Sequence, residues 1–195
     1  FLSRLQSAGI RAIPVRYDAT PEELKPLMDG VNGLFLPGGS PPIPEGARWA
    51  IEYATNLNDN GDFFPIWGTC LGWEWIAQAL AGDDSVVTVD YDAKNLTQPL
   101  GVLPGVETDS RMLSAIPPGL LEKASTEPLT ANEHRKGVAP KDFTSSGLDK
   151  IFRLLAVNAD RKGSEYVSAV EAFDYPIYGL QWHPEKVGAS TPLGR

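Results

Sequence analysis

The only cysteine of the chain lies in a segment that is typical of a catalytic nucleophile. Cys70 stands in GTCLG (residues 68–72), after an apolar run at 63–67 and before a helix-like segment at 73–81. This order predicts a strand, a sharp turn that lifts the thiol out of the strand end, and a helix. The helix dipole at such a turn favours the thiolate, which is the form that attacks carbonyl carbons. A small buried hydrophobic cysteine would look the same, so Cys70 alone leaves both interpretations open.

A base and a group to orient it follow a second strand-like segment. His183, one of two histidines, lies just after residues 175–180, and Glu185 is two residues further on. An imidazole can accept the thiol proton, while a carboxylate fixes its tautomer and stabilises the imidazolium. The sequence therefore predicts that Cys70, His183 and Glu185 form a catalytic triad.

The segments around these residues alternate between strand-like and helix-like patterns. Strands are predicted at residues 10–15, 33–37, 63–67, 85–90, 151–158, 165–173 and 176–182. Helices are predicted at residues 1–9, 20–30, 47–57, 73–81 and 120–124, and Thr20 and Glu23 form the capping box of the second one. Such alternation predicts parallel strands, helices on both sheet faces and a site at the C-terminal ends of the strands. The length suits a single α/β domain over residues 1–195.

Four stretches of the chain resemble the γ-glutamyl hydrolases, a branch of the class I glutamine amidotransferase-like superfamily. They are FLPGGS (35–40), GDFFPIWGTCLG (61–72), PLTAN (128–132) and YGLQWHPEK (178–186), in the order of that family. The resemblance implies a flavodoxin-like, mostly parallel sheet with helices on both faces. It also implies that the domain is incomplete at both ends, since the family has a strand before residue 1 and a closing helix after Lys186.

The resemblance assigns further roles around the nucleophile. The backbone N–H groups of Gly39 and Leu71 are expected to form the oxyanion hole. His134 follows an asparagine where the family usually has a histidine, so it is expected either to contact substrate or to be a solvated loop residue. A substrate with a carboxylate on every glutamyl unit requires cations, and the candidates are Arg111, Arg135 and Lys186, each of which could equally be a solvated surface charge.

The residue four positions after the nucleophile separates two kinds of enzyme. Glutaminases of this superfamily usually carry glutamine there, whereas this chain has Glu74. An ionised glutamate offers only acceptors, so we expect Glu74 either to select the substrate or simply to stabilise the N-terminus of its helix. The favoured function is cysteine-dependent hydrolysis of γ-glutamyl amide bonds, as in trimming the poly-γ-glutamate tail of folates. The alternatives are a glutaminase subunit that supplies ammonia to a synthase, and an inactive binding homologue.

Composition argues against several other classes of function. The net charge is −8 and Lys and Arg form no dense run, which argues against nucleic acid or an anionic membrane as a partner. A single cysteine excludes an intrachain disulfide and any multi-cysteine zinc site. The proposed chemistry needs no metal or organic cofactor, because the thiol and the oxyanion hole supply it.

The resemblance also gives expectations about where the protein acts. The family is lysosomal, vacuolar or secreted, although no signal peptide is visible in these residues. Asn95-Leu96-Thr97 is a glycosylation sequon that would matter in such a compartment. The expected partner is a small molecule, either a pteroyl-poly-γ-glutamate or a γ-glutamyl peptide, and a homodimer is a further expectation.

Overall fold

The computed structural model describes residues 1–117 and 119–186, with seven named helices and seven strands in this part of the chain. The strands are β1 (Leu34–Leu36), β2 (Ile66–Thr69), β3 (Val87–Gln98), β4 (Thr130–Val138), β5 (Phe152–Ala159), β6 (Glu165–Ala172) and β7 (Ile177–Leu180). The helices are α1 (Leu2–Ser7), α2 (Pro21–Met28), α3 (Glu45–Asp59), α4 (Leu71–Ala81), α5 (Arg111–Ser114), α6 (Leu120–Thr126) and α7 (Pro140–Ser145). The expectation that no closing helix follows Lys186 concerns residues 187–195, which lie outside the described residues.

The central sheet has the strand order β1-β2-β7-β6-β5. β1, β2 and β7 pair in parallel, while β6 is antiparallel to both of its neighbours, so four of the five strands run in one direction. The prediction of a mostly parallel sheet is therefore confirmed. Because β1, β2 and β7 are neighbours, the loops that follow them emerge at the same edge of the sheet.

Helices cover both faces of this sheet, as predicted. The larger apolar core lies under α2, α3, α4 and α7, with Trp73, Ile51 and Phe152 among its buried side chains. The opposite face packs against α5 and α6 through residues such as Leu113 and Leu155. The predicted capping box begins α2: the side chain of Thr20 accepts from the N–H of Glu23, whose carboxylate accepts from the N–H of Thr20.

A second sheet, made of β3 and β4 in antiparallel pairing, was only partly predicted. The strand expected at 85–90 extends to residue 98, and β4 has no counterpart in the sequence prediction. The pairing shifts register twice, each time with extra residues on β3, and Asp90 and Asn95 adopt positive φ there. Such bulges interrupt the period-two alternation of apolar and polar residues in the sequence of β3, which would otherwise have predicted a long strand.

The strand predicted at residues 10–15 does not form. Ile10, Ile13 and Val15 are about half exposed and the segment pairs with no strand among the described residues. Pro14 cannot donate to a sheet ladder, and apolar side chains alone do not make a strand without a partner. None of the helices within residues 1–117 and 119–186 combines the length and the apolar character that crossing a membrane requires.

Candidate active site

The predicted turn around Cys70 is present and strained. β2 ends at Thr69, α4 begins at Leu71, and Cys70 between them has φ 52° and ψ −110°, an unusual conformation for a residue with a side chain. A Cβ at Gly72 would collide with the backbone of Leu36. Glycine there lets α4 pack directly on β1, which places the helix N-terminus behind the thiol.

His183 and Glu185 form the predicted pair. The distance from His183 Nδ1 to Glu185 Oε1 is 2.7 Å, and the two side chains are 6% and 12% exposed. The imidazole lies against Gly38, where a Cβ would be only 2.5 Å from His183 Cε1. With Nδ1 engaged by Glu185, Nε2 is the nitrogen left for proton exchange. β7 is in register with β2, with Leu180 opposite Thr69, so the base and the nucleophile follow neighbouring strand ends.

The thiol of Cys70 is neutral at rest, which corrects the expectation of a thiolate. Burial raises its pKa to about 12, and the charge of Glu74 adds to the increase. The N–H of Leu71 and the charge of Lys186 act in the opposite direction but are outweighed. Within the described residues no hydrogen bond joins Cys70 to His183, so the thiol proton has still to be transferred when a substrate is attacked.

The two residues predicted to supply the oxyanion hole, Gly39 and Leu71, are neighbours in the structure. The backbone N–H of Leu71 lowers the pKa of the Cys70 thiol, because it stabilises negative charge on the sulfur. A Cβ at Gly39 would stand 3.0 Å from Leu71 Cδ2, which places the loop after β1 against the first turn of α4. The structure thus brings Gly39, Leu71 and Cys70 together, while Gly38, which the sequence did not single out, makes room for His183.

Gln181 is a site residue that the sequence analysis missed. It is fully buried, and its Nε2 donates to Glu74 Oε1 at 3.0 Å and approaches Cys70 Sγ at 3.9 Å. Its Oε1 is buried without a hydrogen-bond partner among the described residues. Gln181 follows directly after the buried strand β7 and precedes His183 by two residues. This position in the sequence could have indicated that Gln181 lies in the site.

Glu74 is buried beside the nucleophile in the first turn of α4, with 3% of its surface exposed. Burial raises its pKa, against smaller opposing effects from the Gln181 hydrogen bond and the charges of Lys136 and His183. Glu74 therefore holds a proton more readily than an ordinary glutamate does. The expectation that Glu74 offers only acceptors applies to its ionised form, whereas the protonated acid also offers a donor.

His134 is a buried residue of β4 rather than part of a solvated loop. Its Nδ1 lies 2.7 Å from the carbonyl oxygen of Lys136, and the Tyr166 ring meets it edge-on at 4.6 Å. Its Nε2 is buried and has no partner within the described chain. Burial lowers the pKa of His134 to about 4, so the ring is neutral at physiological pH.

The three candidate cations are in different environments. Arg111 lies on α5, which packs on the sheet face opposite α4. Its guanidinium donates to the backbone carbonyls of Ala172, Phe173 and Tyr175. Substrate contact from Arg111 is therefore a wrong prediction, because the guanidinium ties down the chain between β6 and β7. Lys186 is exposed next to the site, and Arg135 is exposed on β4. Within the described residues no three His, Cys, Asp or Glu side chains are grouped to hold a metal ion.

Comparison with known proteins agrees with this geometry. The sequence profile of the family described as Glutamine amidotransferase class-I matches residues 1–192. The chain belongs to the class I glutamine amidotransferase family. Two solved structures share its fold: the glutaminase domain of Trypanosoma brucei CTPS with bound acivicin (TM-score 0.60, 20% identity) and a putative GMP synthase component from Thermoplasma acidophilum (TM-score 0.55, 24% identity). Each alignment covers 97% of this chain and 78% of the other.

Curated relatives of this amidotransferase-family chain include several γ-glutamyl hydrolases. The mouse and human γ-glutamyl hydrolases are 38% and 37% identical to it over 192 residues, and γ-glutamyl hydrolase B of Dictyostelium discoideum is 34% identical over 193 residues. Each alignment covers 95% of this chain. The chain spans 55% of the Dictyostelium protein and 59% of the two mammalian ones.

Proposed function

We propose that this chain hydrolyses γ-glutamyl amide bonds with Cys70 as nucleophile, and that its substrate is a pteroyl-poly-γ-glutamate or a related γ-glutamyl peptide. The observation that carries the proposal is the placement of Cys70 after β2 and of the His183–Glu185 pair after β7, on neighbouring parallel strands. The similarity to γ-glutamyl hydrolases from three organisms supports this substrate class.

Acylation begins with a neutral thiol. His183 Nε2 takes the proton of Cys70 as the sulfur bonds to the γ-carbonyl carbon, and Glu185 stabilises the imidazolium that results. The N–H groups of Leu71 and Gly39 stabilise the oxyanion. The C–N bond then breaks, His183 returns the proton to the leaving amine, and a γ-glutamyl thioester remains on Cys70.

Deacylation repeats these steps with water. His183 takes a proton from a water molecule as its oxygen attacks the thioester carbonyl, and the same N–H groups stabilise the second oxyanion. Collapse of this intermediate releases the γ-carboxylate, and the proton returns to the sulfur. The sequence of steps needs no redox change.

Three groups are proposed to contact the substrate around the reacting bond. The buried Glu74 would distinguish a γ-glutamyl peptide from free glutamine, and neutral His134 would offer its unpaired Nε2 to a polar group. The exposed ammonium of Lys186 would attract the acidic tail. Action in a lysosome, vacuole or extracellular space, glycosylation of the exposed Asn95, and homodimer formation remain predictions from the resemblance.

One assay tests the reaction and its main alternative together. The protein is incubated with pteroyl-poly-γ-glutamate and, separately, with free glutamine, while glutamate and ammonia are measured. Release of glutamate from the folate tail, absent in Cys70→Ala, is the expected result. Ammonia from glutamine without hydrolysis of the tail would identify a glutaminase instead, and no product from either substrate would indicate an inactive homologue.

A further inference from the structure

The side chain of Gln181 connects the nucleophile to the buried carboxyl of Glu74. Its Nε2 lies 3.0 Å from Glu74 Oε1 and 3.9 Å from Cys70 Sγ, and the residue is fully buried. An amide nitrogen carries two hydrogens, so Gln181 can donate to both neighbours at once. The distance to the carboxyl is that of an ordinary hydrogen bond, whereas the distance to the sulfur is long because a neutral thiol is a weak acceptor.

The backbone fixes these three residues in place. The N–H of Cys70 donates to the carbonyl oxygen of Leu180 at 2.7 Å, and the N–H of Gln181 donates to that of Ser168 at 3.0 Å. The N–H of Glu74 donates to the carbonyl oxygen of Cys70 at 3.1 Å, so these two residues lie one helical turn apart. The amide of Gln181 thus meets both groups from a well-anchored part of the central sheet.

The amide oxygen of Gln181 indicates which atoms of the side chain the site uses. Oε1 is buried and has no hydrogen-bond partner within residues 1–117 and 119–186. A buried acceptor without a donor costs stability, and an apolar side chain of the same length would avoid that cost. The amide is therefore of use through the hydrogens on Nε2, the atom that lies beside Glu74 and Cys70.

The two acceptors of this amide repel each other when both are charged. The charge of Glu74 contributes to the raised pKa of the Cys70 thiol. Hydrolysis through a thioester nevertheless places negative charge on the sulfur twice: when its proton passes to His183, and when deacylation expels it from the tetrahedral intermediate. A donor group shared by the carboxylate and the sulfur offsets this repulsion.

We propose that Gln181 is a catalytic residue whose amide donates one hydrogen to the sulfur of Cys70 when that sulfur becomes negatively charged, while its other hydrogen stays on Glu74. This inference rests on the proposed function, because it requires Cys70 to be the nucleophile. The thiol proton still passes to His183 and returns from it, so Gln181 itself neither gains nor loses a proton. Hydrogen bonds to charged acceptors are shorter and stronger than neutral ones, so the 3.9 Å contact shortens as the charge develops.

Alkylation of Cys70 tests this role without a substrate. Iodoacetamide reacts with the thiolate, so its rate at a fixed alkaline pH reports how readily the sulfur ionises. Gln181→Met keeps the length of the side chain but has no donor, and it should be labelled about tenfold more slowly than the wild type. Gln78→Met is the matched control, because this glutamine of α4 donates to the carbonyl oxygen of Asp84, and its labelling rate should be unchanged.

A variant of the same shape separates the loss of the donor from a change in access to Cys70. The carboxyl of Gln181→Glu offers the sulfur no donor, whether it is ionised or shares a proton with Glu74. This variant should therefore be labelled at least as slowly as Gln181→Met. Labelling at the wild-type rate would show that Gln181→Met had only changed access to the thiol, which would overturn the proposal.

Substitution of Glu74 shows whether Gln181 acts on the sulfur directly. In a Glu74→Met background the repelling charge is absent, and adding Gln181→Met should still slow the labelling about tenfold. The double variant replaces the bonded pair by apolar side chains of similar size, which the fold should tolerate. Equal rates with and without Gln181 in that background would mean that it only positions Glu74, and the direct role would be wrong.

Turnover separates this proposal from the function on which it rests. With a γ-glutamyl peptide, Gln181→Met should lower kcat about tenfold and keep KM within about twofold, because the sulfur becomes charged only during the reaction. An unchanged kcat would overturn the catalytic role of Gln181. Labelling of Cys70 that depends on Gln181, without hydrolysis by the wild type, would overturn the proposed reaction alone.

Discussion

Two buried carboxylates at opposite ends of β7 differ sharply in how they are satisfied. Glu171, paired with Tyr178 near the start of β7, accepts from Ser110 Oγ and from two backbone N–H groups of α5, all at 2.9–3.0 Å. Glu74, beside Gln181 just past the end of β7, has one donor at 3.0 Å among the described residues. Their exposed fractions are nearly the same, 2% and 3%.

The difference distinguishes a structural carboxylate from one kept for chemistry. The three donors to Glu171 satisfy it and attach α5 to the sheet, so nothing is left for a ligand. Glu74 sits beside a neutral thiol and near a glutamine oxygen that has no partner in the described part of the chain, an arrangement that costs stability and suits a substrate. Substitutions at the Glu74 end should therefore change activity, and those at the Glu171 end should change stability.

The largest effect is expected at the nucleophile. Cys70→Ala removes the only group that can form the thioester, so kcat should fall by at least about 10³-fold. The urea midpoint should stay close to that of the wild type, because one sulfur atom is lost from a small side chain. Hydrolysis above a tenth of the wild-type rate, measured by glutamate release, would remove Cys70 from the mechanism.

Substitution of Glu171 should lower the stability of the protein and leave its activity unchanged. Glu171→Ala leaves Ser110 Oγ and the N–H groups of Arg111 and Met112 without their acceptor, and the free energy of unfolding should fall by about 3 kcal/mol. Urea denaturation measures this loss. The kcat of the protein that remains folded should match the wild type, and a large fall in kcat at unchanged stability would contradict the comparison.

An intermediate effect is expected at Glu185. Glu185→Gln keeps the size of the side chain but no longer stabilises the imidazolium of His183, so kcat should fall about 10²-fold with KM within about twofold. Steady-state kinetics on a γ-glutamyl peptide distinguishes the two parameters. A rise in KM as large as the fall in kcat would assign Glu185 to substrate binding.

The smallest effect concerns the pH dependence of stability. Burial raises the pKa of folded Glu74 above its ordinary value of 4.5, so the folded state holds a proton that the unfolded state has lost. The stability that this proton provides is complete below pH 4.5 and is lost as pH rises through the folded pKa. Glu74→Gln does not titrate, so in urea denaturation the wild type should lose stability relative to it as the pH rises from 4.5 through the folded pKa of Glu74.

If the free energy of unfolding changes with pH in the same way for the wild type and for Glu74→Gln, Glu74 is solvated like an ordinary glutamate. A divergence of the two curves above pH 4.5 would sharpen the distinction between the two ends of β7.

Local chemistry made some of the site predictable from the sequence. The turn at Cys70, the capping box at Thr20 and the pair His183–Glu185 each depend on residues a few positions apart, and the structure has all three. Arg111 was misplaced because its carbonyl partners lie about 60 residues away in the chain, where no local pattern reveals them.

Contacts across the sheet explain the other misses. β4 was not predicted because its pairing partner β3 is interrupted by bulges, so the sequence left His134 either in contact with substrate or in a solvated loop. Gln181 gained its importance only when α4 brought Glu74 against the end of β7. Both depend on which strands become neighbours, a property that spacing along the chain does not encode.

The neutral state of Cys70 also has a consequence for the durability of the protein. Peroxides and alkylating reagents react with thiolates, and oxidation to sulfenic acid follows thiolate character and exposure. The Cys70 thiol is only 4% exposed, and its pKa is raised to about 12. It therefore has neither the thiolate character nor the exposure that these reactions require. The nucleophile is thus shielded from oxidants while the site is empty, and iodoacetamide should label it more slowly than it labels free cysteine.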